Sequence, residues 1–145
     1  MELLAVALEQ ARIGRAEGGV PIGAAILIDG VVVGAGRNRR VQLGSAIRHG
    51  ETDALEVAGR LPASAYRRAT MATTLSPCDM CTGAILLYGI PRLVIGENRT
   101  FMGGEDLLRS RGVEIVNLDS TECFELMADF IRDHPDVWNE DIGED

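Results

Sequence analysis

Two short strings, His49-Gly50-Glu51 and Pro77-Cys78-Asp79-Met80-Cys81, constrain this chain more than anything else in it. Imidazole nitrogen and cysteine sulfur are zinc donors. Together the strings offer three ligands, His49, Cys78 and Cys81, and one carboxylate, Glu51, that is not a ligand. Any fold that uses them must bring distant stretches of chain to one point. Three protein ligands leave a tetrahedral zinc one position short, and a position kept for water separates a catalytic site from a closed structural one.

The residues around the strings fit that use. Cys78 and Cys81, at a predicted helix start, can present both sulfurs to one ion, and the positive end of the helix favours thiolate. His49 must bind as neutral imidazole. Glu51 follows His49 by two, a spacing that points side chains apart on a regular helix. His49 is therefore expected at the helix start, where both groups can turn toward the metal. Two other readings stay open at this point. A C-x-x-C after a strand also serves thiol–disulfide exchange. A structural zinc would need a fourth ligand, for which only Cys123 and His134 remain, both late in the chain without paired spacing. Jointly, His-x-Glu with Pro-Cys-x-x-Cys is the signature of zinc deaminases, in which the carboxylate takes a proton from an activated water and passes it to a ring nitrogen and the departing amine.

Hydrophobic patterning supplies the frame. Helical spacing of Leu4, Leu8 and Ala11 predicts a helix over Met1–Glu17, ended by Gly18-Gly19. Gly23–Ile28 and Val31–Gly36 are β-rich runs joined by Asp29-Gly30, a two-residue hairpin signal. A helix is predicted over His49–Gly59, a third strand over Ala69–Leu75, and a helix through Cys81–Tyr88, with Pro77 in its first turn. Strands over Arg92–Ile95 and Val113–Val116 flank a short helix over Gly104–Arg111. A last helix spans Ser120–Asp133, with Cys123, Leu126, Met127 and Phe130 toward the core. Strands alternating with helices after an opening hairpin predict a three-layer α/β/α sandwich with a mixed sheet. The tail from Asp133 to Asp145 is acidic, yet carries the only tryptophan, Trp138.

A chain of 145 residues is expected to form one domain, 1–145, with a single core. No apolar run approaches the ~18 residues of a membrane span, and no basic start followed by an apolar stretch marks a secretory signal. Three cysteines, two of them in one C-x-x-C, argue against a disulfide framework and for a reducing, cytoplasmic setting. A net charge of −8 opposes nucleic-acid binding, although Arg37, Arg39 and Arg40 could form a local basic patch. A small, uncharged substrate is the expectation.

Longer strings extend the pattern. The run from Leu75 through Ile85 (LSPCDMCTGAI), that from Gly18 through Gly23 (GGVPIG), Gly44-Ser45-Ala46 ahead of His49, that from Tyr88 through Arg92 (YGIPR), Gly96-Glu97-Asn98, and Trp138 with Glu140 through Glu144 (EDIGE) resemble the fungal type of cytosine deaminase, within the cytidine deaminase-like superfamily. The resemblance runs from about Glu17 to the C-terminus. It implies five strands between helices, a homodimer, and hydrolysis of cytosine to uracil and ammonia. It implies one zinc on His49, Cys78 and Cys81, with Glu51 as proton shuttle. Asn38 and Asp141 would read the ring edge away from the amine. Phe101, Trp138, Ile22 and Leu75 would wall the base, and Gly50 and Ser76 would contact it through their backbones. The acidic segment 135–145 would close over the base, and the helix over Cys81–Tyr88 and the Phe101–Gly104 region would meet the second copy. The same chemistry on guanine, creatinine or isocytosine is the nearest alternative; a tRNA adenosine deaminase is disfavoured by charge. The segment Arg37–Arg40 is more basic than the resemblance leads one to expect beside a base pocket.

Overall fold

The computed structural model describes residues 2–145. In chain order its elements are α1 (Leu3–Ala16), β1 (Gly23–Ile28), β2 (Val31–Arg37), α2 (Arg40–Leu43), α3 (Gly50–Ala58), α4 (Ala63–Tyr66), β3 (Ala69–Leu75), α5 (Asp79–Tyr88), β4 (Arg92–Glu97), α6 (Glu105–Ser110), β5 (Glu114–Asn117), α7 (Thr121–Asp133) and α8 (Pro135–Asp141). The five strands lie in the order β2-β1-β3-β4-β5. β1 is antiparallel to β2 and β3, while β3, β4 and β5 run parallel. The mixed sheet read from the sequence is the one observed.

Alternation along the strands sorts the core into two layers. Ala24, Ile26, Met71, Leu93 and Ile95 face Ala54 of α3, Ile85 of α5 and Leu108 of α6. Ala25, Ala72 and Val94 face α1 and Cys123 of α7 on the other side. β3 is the central strand, buried at every position but Thr70, as expected where both faces carry helices. A third apolar cluster lies at the end of β3, where Val20, Ile22 and Leu75 meet Met127, Phe130 and Trp138.

The β1–β2 turn is the predicted pair Asp29-Gly30, with φ of 50° and 79°, as a two-residue hairpin turn requires. β2 then passes beneath α3 at backbone distance: a methyl on Gly34 or Gly36 would overlap the main chain of Ala54. This close approach seats the start of α3, and with it His49 and Glu51, against the sheet.

Several boundaries differ from the sequence reading. α5 begins at Asp79 with Cys78 as its cap, so Pro77 precedes the helix rather than entering its first turn. The carbonyl of Pro77 instead accepts the Gly104 amide at 3.1 Å. β4 continues two residues past Ile95 because Glu97 still pairs with Leu75. β5 starts one residue later than expected, since the Val113 amide bonds back to the Leu108 carbonyl at 3.0 Å, closing α6. α2, α4 and α8 carried no periodic signal; four to seven residues are too few for one. Met1, within the predicted first helix, falls outside the described residues.

Gly36→Ala is expected to force α3 off β2 and lower stability by about 1–3 kcal/mol. Val31→Thr, at an exposed position of β2, should stay within about 0.5 kcal/mol of the parent. Urea unfolding of the two variants separates the cases; a Gly36→Ala protein as stable as the parent would mean that α3 is not seated by this contact.

Candidate active site

Two helix starts converge at the C-terminal end of β3. His49 is the N-cap of α3 and Cys78 the N-cap of α5, both with extended backbone. Because His49 stands before the first helical residue, its side chain escapes the helical wheel, and the two-residue spacing to Glu51 no longer separates the groups. Cys81 lies one turn into α5. His49 Nδ1 is 3.3 Å from Cys78 Sγ and 3.7 Å from Cys81 Sγ. All three donor atoms lie within 4.8 Å of one another. Donors on one tetrahedral zinc, with bonds near 2.0–2.3 Å, stand roughly 3.5 Å apart, so this set fits that ion without rearrangement. Cys123 is buried on the α1 side of the sheet and His134 caps the end of α7. Neither joins the cluster, which leaves three protein donors among the described residues.

The charges around the cluster are strongly displaced. The Cys81 thiol hydrogen bond, aided by His49, pulls Cys78 down to about 4 against the opposing effect of burial. Cys81, facing that thiolate and buried, is pushed far up. Burial alone would lower His49, but Cys78, Asp141 and Glu51 outweigh it and raise the imidazole to about 9. A cation of higher charge would displace those protons, as ligand binding to zinc requires. Burial raises Glu51 to about 7, with Cys78 adding to the effect and His49 opposing it. A carboxyl balanced near neutrality can both accept and return a proton.

A narrow cavity of about 20 Å³ opens beside the cluster. Ile22, Leu75, Phe101, Trp138 and Ile142 give it apolar walls, and His49, Glu51, Ser76, Cys78 and Asp141 its polar positions. Phe101 and Trp138 meet edge to face, with centroids 6.4 Å apart. Asp141 Oδ2 lies 3.5 Å from His49 Nε2, the ring nitrogen turned away from the sulfurs. Its Oδ1 accepts from Asn38 Nδ2 at 2.9 Å. Asp141 thus faces the outer ring nitrogen, while Nδ1 is the one aimed at the sulfurs.

Of the residues singled out in the sequence, the structure gathers Ile22, His49, Glu51, Leu75, Ser76, Cys78, Phe101, Trp138 and Asp141 on one cavity. Asn38 and Gly50 are buried beside it without lining it; Asn38 reaches it through Asp141. The Ser76 hydroxyl donates to Glu105 at 2.7 Å and accepts the Gly103 amide at 3.0 Å, tying the Phe101 loop down. Ile142 was not anticipated: it follows Asp141 on a segment with no periodicity. The arginines read as a candidate basic patch are engaged inside the molecule. Arg37 pairs with Glu17, Arg39 with Asp53, and Arg40 with Glu140. Arg40 grips both Glu140 oxygens at 2.7 Å and also donates to the Ala46 carbonyl at 2.8 Å, which anchors α8 to the segment after β2. Arg40→Gln is expected to raise deuterium uptake across residues 135–141 by about two- to fivefold, the scale of a partly exposed ion pair, and to leave α7 unchanged. Equal uptake in both proteins would remove the anchor.

Comparison with known proteins agrees with this geometry. The cytidine and deoxycytidylate deaminase zinc-binding region matches residues 1–97. A cytosine deaminase of Candida albicans is 58% identical over 142 residues, covering 97% of this chain and 95% of its own. A tRNA-specific adenosine deaminase of Streptococcus pyogenes serotype M18 is 32% identical over 136 residues, covering 87% and 86%. Among solved structures, one from work on A-to-I editing by tRNA:A34 deaminases superposes with a TM-score of 0.71 at 27% identity, covering 86% of this chain and 97% of that one. With a donor set suited to one open zinc and a family match spanning both ligand strings, this chain belongs to the cytidine and deoxycytidylate deaminase zinc-binding family.

Proposed function

We propose that this chain hydrolyses free cytosine to uracil and ammonia. The observation that carries the reading is one small cavity bounded at once by His49 and Cys78 of the zinc donor set, by Glu51, by Asp141 and by Phe101 and Trp138. The 58% identity with a cytosine deaminase along nearly the whole chain supports the choice of base.

His49, Cys78 and Cys81 would hold the zinc, whose chemistry is to lower the pKa of water from about 15.7 toward 7. Everything else falls to the protein. Glu51 takes the proton from the attacking water and gives it to ring N3. Glu51 then takes the hydroxyl proton left on C4–O and delivers it to the amine; as the C4–N bond breaks, ammonia leaves and C4–O becomes the carbonyl of uracil. A carboxyl near pKa 7 serves both directions. Ile22, Leu75, Phe101 and Trp138 exclude water and sandwich the ring. Asp141, oriented by Asn38, accepts the N1–H of the free base. The backbones of Gly50 and Ser76 complete the ring contacts. A nucleoside carries its sugar at N1, so it lacks that N1–H and forfeits the bond to Asp141.

The segment 135–145 acts in this reading as a lid on a single domain, with Arg40 as its anchor and product release as the step it governs. Two copies are inferred to pair through the outer side of α5 and the Phe101–Gly104 loop, where Leu87, Tyr88 and Met102 are exposed apolar residues. A cytoplasmic role in pyrimidine salvage suits three free cysteines, and no helix among the described residues is long and apolar enough to cross a membrane. One rival rests on an observation, the likeness to a tRNA-specific adenosine deaminase. The charge of −8 and the internal pairing of the arginines weigh against it.

Glu51→Gln is expected to keep one zinc per chain and lose about 10²–10⁴-fold in turnover, measured as ammonia release; a variant of undiminished rate would take Glu51 out of the mechanism. A panel of cytosine, cytidine, guanine, creatinine and isocytosine should give cytosine the highest kcat/KM, with cytidine lower by at least about 10²-fold. Preference for another base would overturn the substrate, and salt-dependent binding of tRNA would restore the rival.

A further inference from the structure

The carboxylate of Asp53 takes no part in the chemistry above, yet it is the most heavily engaged acidic group in the protein's interior. It is fully buried on the first turn of α3. Its Oδ2 accepts the Arg37 amide at 2.9 Å, the last residue of β2. The Arg39 guanidinium reaches Oδ1 at 2.9 Å through its terminal nitrogen and both oxygens at 3.2 Å through Nε. Arg48 reaches Oδ1 at 3.0 and 2.8 Å. A further backbone bond, Arg39 amide to Arg48 carbonyl at 2.9 Å, joins the two arms directly.

The partners are not scattered. Arg37 and Arg39 bracket Asn38, and Arg48 precedes His49. Asn38 and His49 are the two residues that meet Asp141 from opposite carboxylate oxygens, at 2.9 and 3.5 Å. One buried charge therefore holds both ends of the segment from 38 to 49. Charge-assisted forks onto a shared carboxylate are directional and resist displacement. Breaking such a buried set leaves the remaining charges unpaired.

We propose that Asp53 is a positioning residue, acting through Arg48 on the metal-binding imidazole of His49 and through Arg39 on the Asn38–Asp141 pair that meets the base. This rests on the assignment of zinc and base given above. The two arms predict separable effects. Arg48→Gln should speed zinc loss to a colorimetric chelator by about 10-fold or more, with KM changed little. Arg39→Gln should raise KM for cytosine by about 10-fold and leave zinc release unchanged. Asp53→Asn should do both, within the 10–100-fold range that supporting partners of metal sites show. Arg68→Gln, which breaks the exposed pair with Asp29, is the control and should alter neither. Either shift at its assigned arginine supports the proposal. It is overturned if folded, zinc-loaded Asp53→Asn matches the parent in zinc release and KM, or if both arginine variants change only the melting temperature. Should Asp53→Asn not fold, the arginine pair decides alone. Zinc release is read without substrate, so an error in the base assigned would not disguise the result.

Discussion

Everything functional in this protein depends on two helix N-termini meeting at the end of one strand. α3 delivers His49 and α5 delivers Cys78 and Cys81 to within 4.8 Å of one another. Each helix start carries unsatisfied amide hydrogens and a partial positive charge. Two such ends face to face are unfavourable until negative charge lies between them. The Cys78 thiolate supplies it, and Glu51 adds a carboxyl that burial pushes up to about 7. The arrangement that binds a cation thus also relieves the repulsion between its own supports.

The loops around that centre are held by buried carboxylates as well as by the apolar cluster on which Phe101 packs. Glu97 accepts the Arg99 and Thr100 amides at 2.7 and 2.9 Å and shapes the turn after β4. Glu105 takes the Ser76 hydroxyl and the Asn98 amide group, joining the ends of β3 and β4 to the Phe101 loop. Asp53 gathers the segment between β2 and α3. Buried carboxylates are costly unless every oxygen is satisfied. In return they give fixed directions, which a pocket for a flat, polar ring needs more than it needs adhesion.

The core of the fold was legible because its signals are local. The β-rich run Gly23–Ile28, the Asp29-Gly30 turn and the helical stripe of the first helix each lie within a few residues. The metal donors were legible for the same reason, since C-x-x-C spacing and a helix start suffice to aim two sulfurs. Trp138 and Asp141 came from resemblance, and the structure shows why no pattern announced them. α8 spans seven residues, and its two buried residues are three apart among acidic neighbours. The arginines at 37, 39 and 40 read as a surface patch because sequence displays charge but not partners. Their partners, Glu17, Asp53 and Glu140, lie up to a hundred positions away.

By itself the chain's sequence determined the five strands and the longer helices, the hairpin, the donor atoms and the carboxyl that accompanies them, because spacing along a helix or strand sets direction over a few residues. Only the tertiary structure decided that Asp141 reaches His49 and Asn38, that the basic segment is spent inside the molecule, and that Asp53 joins the two. Those contacts depend on segments brought together across the sheet, and their geometry comes from packing of glycines, helix ends and buried charges that no local pattern encodes.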